Sequence, residues 1–213
     1  TFALGARGFY PLVSFMLCGF VTATIFSEFY KGSRAIQRKT GMALAAAAAQ
    51  LTMRNTRRYG GYIIHLGIVF IFVGFTGAAF NTQKQAEVRP GEPLAIRNYT
   101  LTLLKVEEGD NANYRMQRAY LRAEKDGRPI ATMLPERRLY KSSQQPTSEV
   151  AIRSRMSEDL YVVLAATEED GRAVIQVFIN PLVNWIWLGG FVMLLGTGIA
   201  LLHDGWVEAV NAG

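Results

Sequence analysis

Apolar residues in this chain follow two rhythms. Three long runs, Phe9 to about Phe26, Tyr59 to Phe80 and Pro181 to Leu202, are almost free of charge. Each approaches or exceeds the roughly 20 residues that carry an α-helix across about 30 Å of hydrocarbon. The first is the least secure, because Thr22, Thr24 and Ser27 soften its end, and a buried core helix is its alternative. Between the second and third runs the period shortens to two. YTLTLLKVEE (Tyr99–Glu108), YRMQRAYLRAE, a stretch into PERRLY (Pro135–Tyr140), TSEVAIRS, DLYVVLAATEEDG and RAVIQVFINP alternate or are rich in β-formers, which predicts about six strands. Asp126-Gly127-Arg128-Pro129 and Glu169-Asp170-Gly171 read as the turns between them.

The prediction is an α/β membrane protein with three transmembrane helices and an extracytoplasmic antiparallel β-domain, a small barrel or sandwich with an OB-like barrel among the options. The expected boundaries are a helix over 1–26, a basic cytoplasmic loop over 27–58, a second helix over 59–80, the β-domain over 81–180, a third helix over 181–202 and a cytoplasmic tail over 203–213. Within the loop, GMALAAAAAQL (Gly41–Leu51) favours a surface helix too short to span. Trp185 and Trp187 open the third run, where indole prefers the membrane–water interface.

Charge orients this plan. The loop holds Lys31, Arg34, Arg38, Lys39, Arg54, Arg57 and Arg58 against Glu28 alone, whereas 81–180 carries 15 basic and 14 acidic residues. Short-loop Lys/Arg bias places the loop in the cytoplasm and the β-domain outside. The net charge of +6 therefore reflects orientation beside anionic lipid, and it predicts no nucleic-acid partner. Residue 1 is a threonine, without a secretory n-region and cleavage site. The expectation is a C-terminal part of a longer protein, or one chain of a split protein. Cys18, the sole cysteine, excludes an internal disulfide or a CxxC exchange pair.

The candidate chemistry centres on His65, an imidazole inside an apolar helix. Gly60, Gly67 and Gly74 recur every seven residues and predict a close-packing face for another helix. His65 lies roughly 140° from Gly60 around that helix. On its own face it has Gly61, Ile68, Val69, Phe72 and Thr76, an apolar wall with a notch at Gly61 where a flat hydrophobic ligand could lie. Three readings follow from spacing: a ligand to a membrane cofactor, an interhelical hydrogen bond, or a proton relay. His203, beside Asp204, suits helix-end capping better than metal ligation. No nucleotide-loop, HExxH or serine-elbow motif appears. Glu158 and Asp159 are adjacent and point to opposite faces of a strand, which reads as solubility at a strand edge. Arg137 and Arg138 are either a solvated pair or a fork for a carboxylate or propionate.

NTRRYGGYIIHLGIVFIFVGFTGAAF, PERRLY, QPTSEVAIRS, SEDLYVVL and INPLVNWIWLGG together resemble the C-terminal third of the CcmF family of cytochrome c-type biogenesis proteins, within the haem-handling membrane protein superfamily. The resemblance runs from about residue 7 to 202. It implies a multi-pass protein of the bacterial inner membrane with its β-domain in the periplasm, and a part in a cytochrome c haem lyase, in which haem delivered by the chaperone CcmE is joined to the CxxCH thiols of apocytochrome c with CcmH and, in some organisms, CcmI or CcmG. It further implies a transmembrane b-type haem that reduces incoming haem. His65 matches that haem's axial ligand in the YGGYxxHLG segment, with Gly61 and Phe72 beside the cofactor. The tryptophan-rich WWD loop, its flanking histidines and the second ligand histidine have no match here; Trp185 and Trp187 are not that loop. The other axial ligand and the catalytic machinery would thus come from the remainder of the protein or an N-terminal chain, and this chain alone is expected to be inactive. The alternatives are a non-catalytic assembly subunit with His65 used only between helices, and a transporter segment, for which no charged interior pair is present.

Overall fold

In the computed structural model, residues 2–168 and 170–202 are described, with side chains from Gly8 onward. Two compact units emerge, a helical one to Ala79 and from Leu182, and a β unit over Phe80–Pro181. The helices are α1 (Phe2–Thr40), α2 (Leu44–Arg54), α3 (Thr56–Gly77, extended by a short turn of tighter helix over Ala78–Phe80) and α4 (Asn184–Leu201). Among the described residues, three helices, α1, α3 and α4, are long and apolar enough to cross a membrane.

α1 does not stop where its apolar run stops. Nothing in SEFYKGSRAIQRKT breaks a helix until Gly41, which takes a left-handed φ of 72° and gives its N–H to the Gln37 carbonyl at 2.8 Å, a glycine C-terminal cap. The basic segment that reads as a loop is therefore largely helical, in the continuation of α1 and in α2. Phe9, Leu12, Met16 and Phe20 of α1 are exposed, as suits a helix facing lipid rather than a buried core helix.

The glycine rhythm explains how α3 and α4 pair. A Cβ on Gly60 would come within 2.8 Å of the Gly196 carbonyl and of Ala200, one on Gly67 within 2.7 Å of the Gly189 carbonyl, and one on Gly74 within 2.5 Å of Ile186. Gly189 and Gly196 return the contact from α4, meeting Gly67, Ile71, Gly60 and Ile64. Small residues on both sides let the backbones touch, which is how helices associate where no hydrophobic effect drives them together. α1 packs on another side of α3: the Ser14 and Thr76 hydroxyls are 2.6 Å apart, and the Cys18 thiol faces the Val69 carbonyl at 3.9 Å. Toward the other end, Phe29 meets Tyr59 edge-on at 5.0 Å and Arg58 pairs with Glu28 at 2.9 Å.

Among the described residues the β unit contains ten strands: β1 (Thr82–Val88), β2 (Pro93–Ile96), β3 (Tyr99–Asp110), β4 (Tyr114–Lys125), β5 (Arg128–Met133), β6 (Glu136–Tyr140), β7 (Pro146–Glu149), β8 (Ala151–Arg153), β9 (Glu158–Thr167) and β10 (Ala173–Pro181). They form two antiparallel sheets, β1-β10-β9-β8 and β2-β3-β4-β6-β7, with β5 also on β4. Alternate residues fill a common core, notably Leu101, Leu103, Leu121, Val162, Ile175 and Val177, all fully buried. The sandwich form is the one adopted. More strands are present than the alternation reveals: β1 is polar with only Val88 buried, β2 has four residues, and TSEVAIRS divides at Val150 between the two sheets.

A bulge between Leu103 and Lys105 exposes Leu104 and carries the far half of the β3–β4 hairpin beyond the core. Its turn is held by the Asn111 side chain, which accepts from the backbone N–H groups of Asn113 and Tyr114 at 2.8 and 2.9 Å. The Asp126–Gly127 turn has φ of 51° and 73°, the left-handed pair a tight hairpin requires. Between β9 and β10, Gly171 at φ 82° donates to Glu168 at 3.1 Å.

Candidate functional site

His65 sits one turn beyond Gly61 on α3 and is exposed. Its Nδ1 lies 2.8 Å from the Gly61 carbonyl oxygen. A carbonyl only accepts, so Nδ1 carries a proton, and in the neutral ring the lone pair is then on Nε2. This is the tautomer in which an imidazole ligates a metal through Nε2, with the second nitrogen's hydrogen bond fixing the ring. Among the described residues Nε2 has no partner.

The surroundings match this polarity. A Cβ on Gly61 would meet nothing within 4 Å, unlike the glycines of the α4 seam, so the notch next to the imidazole is open. Phe72, two turns along, is also exposed. Val69 and Thr76, by contrast, are engaged by Cys18 and Ser14 of α1. The wall expected around His65 is therefore narrower: α1 covers its Val69 and Thr76 edge, leaving Gly61, His65 and Phe72 on the uncovered side. An imidazole with a free Nε2, an absent side chain beside it and an aromatic ring on the same flank fit a flat apolar ligand with a metal at its centre. No group of three or more His, Cys, Asp or Glu side chains suited to a metal occurs among the described residues. The donor set is thus a lone imidazole, suited to axial ligation and not to a protein-built metal cage. His203 and Asp204 lie outside the described residues.

The remaining candidates separate by geometry. Glu158 and Asp159 do diverge, but they are not solubility groups. Glu158 accepts from the Tyr99 hydroxyl at 2.9 Å and from Lys125 Nζ at 2.5 Å, while buried Asp159 accepts from the Arg155 backbone N–H at 3.2 Å. Arg138 is committed: it donates to Glu136 at 2.7 Å and to Glu149 at 3.2 Å and lies over the Tyr114 ring at 4.9 Å. Arg118 reaches the same Glu136 carboxylate. Burial pushes the Glu136 carboxyl up, but the two guanidiniums outweigh it and hold it below the usual carboxylate range. Arg137, on the opposite face of β6, pairs with no carboxylate among the described residues.

Three apolar helices and a two-sheet domain on the extracytoplasmic side define a multi-pass inner-membrane protein with an outer β-sandwich. Residues 79–181 match the family described as CcmF C-terminal beta-sandwich. Over 90% of its length the chain is 30% identical to the cytochrome c-type biogenesis protein CcmF of Pseudomonas aeruginosa, of which it covers 28%. It is 29% identical to CcmF of Escherichia coli K12 over 76% of its length, covering 26% of that protein. A solved structure titled cytochrome c heme lyase CcmF shares the fold at a TM-score of 0.63 and 17% identity, over 85% of this chain and 34% of that one. The chain belongs to the CcmF-type cytochrome c biogenesis family and corresponds to its C-terminal part. It spans between a quarter and a third of the length of these curated relatives.

Proposed function

We propose that this chain is the C-terminal portion of a membrane cytochrome c haem lyase, in which it supplies one axial ligand to a transmembrane b-type haem and a periplasmic platform for haem attachment to the CxxCH motif of apocytochrome c. The observation that carries the reading is the hydrogen bond from His65 Nδ1 to the Gly61 carbonyl, which orients the ring and, in the neutral tautomer, leaves the Nε2 lone pair available to a metal. Gly61 supplies space for a porphyrin edge next to the ring, and Phe72 supplies apolar contact on the same flank. When bound, such a haem supplies one-electron chemistry, with a potential set by axial ligand and burial. The second ligand then comes from the rest of the protein or from another chain, as do the partners CcmE, CcmH, CcmI or CcmG. The scaffold reading, with His65 serving only between helices, is less well supported, since the imidazole's described partner lies on its own helix.

The test is a reduced-minus-oxidised absorption spectrum of the intact complex, purified with His65 and with His65→Gly, with and without added imidazole. Loss of the b-type bands in the variant and their partial return with imidazole is the expected outcome. Full b-type bands in a correctly assembled His65→Gly variant would remove His65 from the ligand set.

A further inference from the structure

The β3–β4 hairpin, after its bulge, joins β6 and β7 in a cleft of about 560 Å³, within the roughly 300–1,000 Å³ range of small-ligand sites. The strand register lays two rows of side chains across it. Glu108, Gln117 and Arg137 face one another on three successive strands, and Asp110, Arg115, Leu139 and Pro146 form the next row. Most of the polar groups in these rows are already satisfied. Gln117 donates to Glu108 at 3.0 Å, while Arg115 and Lys141 lie 3.5 and 2.5 Å from Asp110. Arg137 is the exception: half-buried and lining the cleft, it has no carboxylate within ion-pair distance among the described residues. Its neighbour Arg138 is locked on the other face by Glu136, Glu149 and Tyr114, which fixes the orientation of β6 and keeps Arg137 turned to the cleft. Leu139 and Pro146 lie side by side next to it and add apolar surface.

We infer that this cleft binds a carboxylate carried on an apolar body, with Arg137 as the anchoring group through a planar two-point hydrogen bond. A haem propionate and an acidic side chain flanked by apolar residues in a visiting protein segment share this chemistry. The first source rests on the haem-lyase reading; the second does not.

The test uses the complete protein containing this chain in lipid nanodiscs and two probe pairs: protoporphyrin IX against its dimethyl ester, and acetyl-Leu-Glu-Leu-amide against its glutamine counterpart. In one or both pairs the carboxylate member is expected to bind about tenfold tighter than the neutral one, the factor of one charge-assisted hydrogen bond. Arg137→Met abolishes that preference, Arg137→Lys keeps part of it, and Arg128→Met on the exposed start of β5 leaves it unchanged. An Arg137-dependent preference in the porphyrin pair identifies a propionate, and one in the peptide pair alone identifies a protein carboxylate. No preference in either pair, or a preference that survives Arg137→Met, overturns the site. The b-type spectrum of the His65 variant is read separately, so the haem reading can fail while the cleft stands.

Discussion

His65 and Arg138 show what one side chain's surroundings decide. The ring of His65 is oriented by the carbonyl one turn back, and the adjacent position is a glycine with nothing against it. Gly61→Leu fills that space without touching α4. The expected outcome is a b-type absorbance reduced about tenfold, because overpacking costs about 1–3 kcal/mol, with the helical unit melting as before in detergent. Glu136 offers a second prediction. Its carboxyl is held below the usual value of 4.5 by Arg138 and Arg118 against the push of burial. The folded form therefore binds its proton later than the unfolded chain as pH falls. The stabilisation is complete above about pH 4.5 and is lost as pH drops through the lowered value. Glu136→Gln is expected to remove that share of the acid dependence and to cost about 3 kcal/mol at neutral pH by leaving two guanidiniums short of a charge. Chemical denaturation followed from pH 7 to pH 3 measures both. Arg137 and Arg138 are indistinguishable as letters in a sequence. The register of β6 against β4 and β7 decides which of them is consumed, and no local pattern encodes that pairing.

At the scale of elements, the seven-residue glycine spacing on α3 was readable as a packing face because a helix repeats its surface over two turns, and the seam with Gly189 and Gly196 occupies that face. Gly67→Val is expected to destabilise the helical unit by about 1–3 kcal/mol, since its side chain would collide with the Gly189 carbonyl and Met193. Gly190→Val, where a Cβ meets nothing within 4 Å, is the neutral comparison, and a thermal denaturation curve in detergent separates the two. The buried strands β3, β4, β9 and β10 were legible because alternate residues fill one core. β1 and β2 were not, for a physical reason. β1, an edge strand with one neighbour, is held by backbone hydrogen bonds, so its side chains need no apolar period. β2 does alternate, with Leu94 and Ile96 buried, but over only four residues, too few to stand out as a period. The length of α1 was missed on similar grounds: polarity marks where lipid ends and does not mark where a helix ends, which took Gly41 to set.

For the molecule as a whole, orientation rests on charge asymmetry across the three membrane-length helices. In a Cys18→Ala background, a membrane-impermeant maleimide applied to spheroplasts should label Asn113→Cys in the β3–β4 turn at once. Lys39→Cys, at the end of α1, should react only after the membrane is opened. The reverse pattern would invert the topology. The site residues follow this layout: His65 belongs to the helical unit and Arg137 to the β unit, so a variant in one leaves the fold of the other intact.

Strands β1 and β10 are hydrogen-bonded partners, with Thr82 opposite Ile179, and the α3–α4 seam runs up to Gly74 against Leu182 and Ile186. Each unit thus has its two chain crossings side by side, separated by little more than the spacing of neighbouring backbones. The sandwich is in this sense a cassette set between two helices. Excised over Phe80–Pro181, it carries its whole core with it and should express as a free-standing soluble protein, while a few glycines would suffice to splice α3 to α4 and leave a helical hairpin.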